Sequence, residues 1–190
     1  MKVYLTAGHQ VINGKGTGAH SEYGDEAIEA LRVRDALTYE LTTRGVQVVN
    51  DAPSDPLSKV IDWLKNSVRE KDIAIDIHFN SAASGAANGT EVVIPEAWSK
   101  TEQALASDLA NVISSALGTK LRKGAMIYAG VKTERETFHK KIGVLRTPFR
   151  AHNALIEIGF LSNVDDMGRY RGHFKALIKN LADVICKYAA

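Results

Sequence analysis

The sequence predicts a single α/β domain, residues 1–190, built on a mostly parallel sheet of six strands with helices on both faces. Three observations predict it. Short β-leaning runs alternate with helical stretches of ten or more residues, as strands joined by helical crossovers do. Such crossovers are right-handed and lay helices against each face of the sheet. The length suits one core, and no repeat, low-complexity tract or linker interrupts it.

The elements follow in order. Lys2 to Ala7 forms the first strand and ends in Gly8-His9, after which comes the polar, glycine-rich loop NGKGTGAHSEYGD. From about Glu26 to Arg44, Ile28, Leu31, Leu37 and Leu41 recur at near-helical spacings, and Gly45 suits the left-handed position just past a helix end. Val46 to Val49 is a second strand. Ser54-Asp55-Pro56 starts a helix that Leu57, Val60, Ile61, Leu64 and Val68 carry to about Glu70. Asp72 to Phe79 is the third strand, and Gly89 to Ile94 a fourth, expected at the sheet edge. Ser99 to Leu117 is helical. Gly118 to Lys141 lacks a clear period and is expected to be loop and irregular structure. Ile142 to Leu145 and Ala154 to Ile158 are the last two strands, and a final helix runs from about His173 to Tyr188.

Composition bounds the function. With 45% apolar and 24% charged residues the chain is an ordinary soluble globular protein. A net charge of +2 is too small to imply a nucleic-acid partner, although mild basicity is compatible with an anionic polymer. No apolar run approaches the roughly 18 residues that a membrane span requires. The opening MKVYLTAGHQ lacks the apolar segment of a signal peptide, so an extracellular role is expected to need another export route or a leader that precedes these residues. The one cysteine, Cys186, excludes an internal disulfide and reads as a buried structural thiol.

Chemistry is expected beyond the carboxyl ends of the parallel strands, where ligands of such sheets bind. His9 directly follows the first strand, His78 lies near the end of DIAIDIHF, and Glu157 lies near the end of ALIEIGF. Asp76 and His78 alternate onto one strand face, opposite Ile73, Ile75 and Ile77. Glu26, at the start of the first helix, can return to the same edge. Two imidazoles and a carboxylate are a common ligand set for a hydrolytic zinc, which keeps a fourth position open for water. A further carboxylate must then move the water's proton to the leaving nitrogen, and Glu157, set between Ile156 and Ile158, has the apolar surroundings that raise a carboxyl pKa. Spacing alone carries no short zinc signature. His9 also reads as a turn histidine, His78 as a satisfied core histidine, and Glu26 as a first-turn carboxylate.

Read together, these segments resemble the zinc N-acetylmuramoyl-L-alanine amidases of bacterial autolysins and phage endolysins, the type 3 amidase catalytic domain. TAGHQ is similar to that family's strand-then-Gly-His element, DEAIEALRVRDALTYELTTRGVQVV to its Glu-led helix, DIHFNS to its His-x-Asn element, GTEVVI to the following strand, and ALIEIGFLSN to its catalytic Glu element. The resemblance covers nearly the whole chain. It implies a twisted mixed sheet like that of single-zinc exopeptidases, one Zn2+ held by His9, Glu26 and His78, and Glu157 as catalytic acid/base. It also implies hydrolysis of the amide between the lactyl group of N-acetylmuramic acid and L-alanine of the stem peptide, and so lysis of the wall. Peptidoglycan is then the polymeric partner, with a monomer expected. The localisation expected is the wall, reached from a host cytoplasm through a membrane pore by a phage lysin, or from a mother cell by a lytic enzyme.

The chain departs from the family where GHQ replaces the common GHGG and where Asp76 replaces a small residue such as Ser. Asp76 is a candidate to orient a ligand. Glu22 and Glu29 rival Glu26. Asn80 is a candidate substrate contact or a local turn residue. His20 is expected to be a solvated loop histidine, and His139, His152 and His173 structural or surface residues. Arg146 is expected in a surface salt bridge, and Trp98 and Tyr128 in the core. Two other readings are a different single-zinc amide hydrolase (a carboxypeptidase or deacylase) and a wall-binding module without activity.

Overall fold

The structure is a computed structural model that describes residues 1–125, 128–147 and 151–189. Its main elements are β1 (Val3–Ala7), α1 (Glu26–Thr43), β2 (Val48–Asn50), α2 (Leu57–Ser67), β3 (Ile73–Asn80), β4 (Glu91–Ile94), α3 (Lys100–Leu117), β5 (Val131–Thr133), β6 (His152–Phe160) and α4 (Val164–Ala189). The six strands form one mixed, mostly parallel sheet in the order β2-β1-β3-β6-β4-β5. β2, β1, β3 and β6 run parallel, β4 runs antiparallel to β6, and β5 runs parallel to β4.

Local chemistry sets the helix ends. Ser99 Oγ accepts the Glu102 N–H at 3.1 Å while Glu102 Oε2 accepts the Ser99 N–H at 2.7 Å, so both orphan amides are satisfied where α3 begins. Gly118 stops the same helix at φ 65, and Gly45 turns the chain out of α1 at φ 82.

The two faces of the sheet are covered unequally. Val3, Leu5, Ile73, Ile75, Ile77, Phe79, Ile156 and Ile158 pack against Leu37 of α1, Leu105 and Leu109 of α3, and Leu177 and Leu181 of α4. On the other face Tyr4, Ala74, Val93 and Leu155 pack under Val60 and Leu64 of α2 and under Val144 and Leu145. Strand alternation carries that second face on to Asp76, His78, Asn80, Glu157 and Glu91, which lie beyond the apolar cluster under α2.

Several sequence expectations are corrected. Val131–Thr133, inside the stretch expected to be irregular, supplies the sixth strand (residues 126–127 of that stretch lie outside the described residues). Ile142 to Leu145 is not a strand: Gly143–Leu145 is one 3-10 turn whose Val144 and Leu145 fill the space under α2. A four-residue apolar run satisfies either conformation, and periodicity cannot separate them. β4 is not the edge, because β5 lies outside it. α4 starts at Val164 rather than His173, where a local break (φ −115, ψ 16) marks the start that the sequence suggested. Cys186 is half-buried against the core, and Trp98 and Tyr128 are exposed, at 39% and 44%. Among the described residues no helix is long and apolar enough to cross a membrane.

Candidate metal centre and catalytic carboxylate

The carboxyl ends of β1, β3 and β6 bring the expected residues to one place. His9 follows β1 with a left-handed backbone, φ 69, which is uncommon for a residue with a side chain. Gly8 donates its N–H to Ile77 O at 2.8 Å and lies flat against the His78 ring, where any Cβ would overlap the imidazole. Gly18, at φ 86, does the same beneath the ring of His9. The two imidazoles meet edge to face with centroids 5.3 Å apart.

Glu26 spans them. Its Oε2 lies 3.0 Å from His9 Nε2 and its Oε1 lies 2.9 Å from His78 Nδ1, while Oε2 also accepts the Ala19 N–H. One atom from each residue falls within a set no wider than 4.8 Å. Ligands about 2.0 Å from a tetrahedral ion sit about 3.3 Å apart, so two imidazoles and a carboxylate in this arrangement fit a divalent cation. Burial opposes ionisation of Glu26, but hydrogen bonds from His78 and then His9 hold its carboxyl well below the usual carboxylate range. His78 is likewise held charged against its burial, chiefly by Asp76 and Glu26, so that a cation and a proton compete for the same ring.

The rivals of Glu26 are elsewhere. Glu29 accepts from Tyr170 Oη at 3.1 Å and faces Arg32 and Arg171, and Glu22 is exposed.

Glu157 stands directly opposite His78 in the β3–β6 register and opposite Glu91 in the β6–β4 register. Its Oε2 is shut off from solvent with no hydrogen-bond partner among the described residues. Burial pushes the carboxyl up to about 8; the charge of His78 opposes this, and those of Glu26, Glu91 and Asp76 add to it. A buried carboxyl oxygen without a hydrogen-bond partner is costly in a fold and points to a site.

Glu91 was overlooked as a sequence candidate. It is 6% exposed and receives Arg122 Nε at 2.6 Å, Lys132 Nζ at 2.7 Å and Asn80 Nδ2 at 3.1 Å. The available signal was the one that found Glu157, a carboxylate inside an apolar strand. Asn80 also accepts the Ser81 N–H at 3.0 Å, so its amide ties the loop after β3 to Glu91. His20 is exposed and pairs with Asp25 at 2.6 Å. His139 and His173 are exposed, His152 is half-buried at the start of β6, and Arg146 pairs with Glu134 at 3.0 Å. A cavity of about 150 Å³ adjoins the centre, lined by His9, Asp55, Leu57, Asp76 and His78. A larger one, about 920 Å³, opens at the opposite end of the sheet around Lys71, Glu96 and His152, away from this chemistry.

The family model for N-acetylmuramoyl-L-alanine amidases matches residues 3–187. The chain belongs to the N-acetylmuramoyl-L-alanine amidase family. The amidase resembles in fold the catalytic domain of CwlV, an N-acetylmuramoyl-L-alanine amidase from Bacillus (Paenibacillus) polymyxa var. colistinus, at 23% identity and TM-score 0.75, over 99% of this chain and 98% of that one. It also resembles the N-acetylmuramoyl-L-alanine amidase AmiC2 of Nostoc punctiforme, at 22% identity and TM-score 0.72, over 98% and 96%. The catalytic domain of the CD27L endolysin, which targets Clostridia difficile, aligns at 20% identity and TM-score 0.69, over 100% and 96%. No curated protein matches the chain in sequence. The amidase is a peptidoglycan hydrolase that acts on the cell wall, which sets aside the carboxypeptidase, deacylase and inactive-module readings.

Proposed function

We propose that the amidase is a single-zinc enzyme in which His9, Glu26 and His78 hold the ion and Glu157 moves the proton, the whole of residues 1–190 forming one catalytic domain. The observation that carries this reading is the meeting of two imidazoles on one carboxylate, with a carboxyl in register beside them whose Oε2 is shut off from solvent without a partner among the described residues. When bound, zinc would supply a Lewis acid that acidifies water and polarises the scissile carbonyl. With the ion bound, Glu26 would contribute the one negative charge of the ligand set, and His9 and His78 would bind it as neutral imidazoles. Glu157 accepts a proton from the attacking water and delivers it to the nitrogen of L-alanine as the C–N bond breaks. Burial raises this carboxyl above the ordinary carboxylate range, which suits it to returning the proton as well as taking it. Asn80 is proposed to act at the margin, holding Glu91 and the loop after β3 rather than performing chemistry.

The test uses purified walls. Zinc-loaded protein should release L-alanine amino termini and lose that activity to a chelator. Glu157→Ala should keep one zinc per chain by elemental analysis while turnover falls about 10²–10⁴-fold. His78→Ala should lose the zinc itself. A Glu157→Ala protein as active as the parent, or a His78→Ala protein with full zinc content, would overturn the assignment.

A further inference from the structure

Asp76 has no place among the three ligands, yet it is 6% exposed and sits one pleat below His78. Backbone register explains its company. Thr6 of β1 pairs with Asp76 of β3, and alternation sets His78 two residues further on the same face. Thr6, itself 2% exposed, donates its hydroxyl to Asp76 Oδ1 at 2.6 Å. The other carboxylate oxygen, Oδ2, lies 2.9 Å from His78 Nε2. An ionised carboxylate only accepts, so the hydrogen of this contact is on Nε2. In the metal-free ring Nδ1 likewise donates, to Glu26 Oε1 at 2.9 Å, and this is the proton that a cation in the ligand cluster would displace, leaving the Nδ1 lone pair toward it and the hydrogen on Nε2. Gly8 closes one face of the same ring.

A buried carboxylate in a central strand costs stability unless its oxygens are occupied, and here one is occupied by a hydroxyl from the neighbouring strand and the other by the ligand's far nitrogen. We propose that Thr6 and Asp76 are positioning residues that fix the tautomer and the orientation of His78, so that Nδ1 faces the metal. This rests on reading His78 as a ligand. Thr6 holds Asp76 in one rotamer; Asp76 holds the ring.

The experiment compares metal-free preparations by competition for zinc with a chromophoric chelator, and reads the His78 tautomer from the 15N shifts of the zinc-loaded protein. Wild type should show hydrogen on Nε2. Asp76→Ala should weaken zinc about 10–100-fold and give a mixed tautomer. Asp76→Asn, nearly the same size and able to accept from Nε2 through its carbonyl, should recover part of the affinity and guards against a folding defect in the alanine variant. Thr6→Val should lose severalfold, and Thr6→Ser should restore it. A merely structural role for the pair would leave the tautomer unchanged. Wild type that takes up no zinc overturns the metal centre, and the pair with it. Wild type that binds zinc, with Asp76→Ala and Asp76→Asn binding as tightly and showing the same tautomer, overturns the positioning role alone.

Discussion

Strand β3 presents two unlike faces. Ile73, Ile75, Ile77 and Phe79 are each at most 1% exposed beneath α1, α3 and α4, whereas Ala74, Asp76, His78 and Asn80 alternate onto the face that α2 covers only at its lower end. The strand is the same and the backbone hydrogen bonds are the same; the helices above differ. Where the cover is complete the residues are apolar and serve stability. Where it stops, polar side chains sit on a central strand with a cavity before them, at the sheet end where the loop after β1 brings His9 beside His78. One register step would exchange the two sets, so the pairing of β1, β3 and β6 fixes core and site together.

The comparison can be broken from either side. The largest effect expected is on the polar side: Glu157→Gln should lower turnover about 10²–10⁴-fold while the protein stays folded. On the apolar side, Ile73→Ala should destabilise by about 2–5 kcal/mol in denaturant unfolding, with kcat of the folded enzyme unchanged. If Ile73→Ala lowers kcat as much as stability, the two faces are not separable and the site depends on core packing more than the geometry indicates.

Gly8→Ala tests the seam between them. A Cβ there overlaps the His78 ring, and overpacking of this kind costs about 1–3 kcal/mol. Because the ring is the movable body, the cost should appear as about tenfold to hundredfold weaker zinc, read by chelator competition, with little change in the melting of the metal-free protein. Unchanged affinity would show that the backbone at Gly8 yields instead.

Much of this was legible in the sequence. β1, β3 and β6 announce themselves by composition, and ligands at the carboxyl ends of such strands place His9, His78 and Glu157. Glu26 needed the family resemblance, because a first-turn carboxylate has an ordinary role at a helix start and only the three-dimensional return of α1 puts it between two imidazoles. The short strand β5 was hidden, since three residues carry no period. Its neighbours Arg122 and Lys132 come from that same stretch, so the pairing of Glu91 was hidden too. The contrast between Glu91 and Glu157 is thus a property of the fold: two carboxylates face each other across β4 and β6, one receiving three donors and the other leaving an oxygen with none. Opposite surroundings of this kind support the role proposed for Glu157, a carboxyl that moves a proton beside one that is held as a fixed charge.

That contrast makes one further, smaller prediction. In the chelated protein the folded Glu157 carboxyl titrates at about 8, against an ordinary value of 4.5. Between these values the unfolded chain has released its proton and the folded chain still holds it. The folded state therefore binds more protons there, and stability falls as pH rises through the window. Glutamine has no proton to lose. The melting temperature of Glu157→Gln minus that of wild type, measured with chelator present, should be smallest near pH 4.5, widen toward pH 8 and level off above it. Titrations of groups not coupled to Glu157 cancel in the difference. A difference that stays flat across the window would mean that Glu157 ionises as a solvated carboxylate, and burial could then no longer be what prepares it to carry a proton.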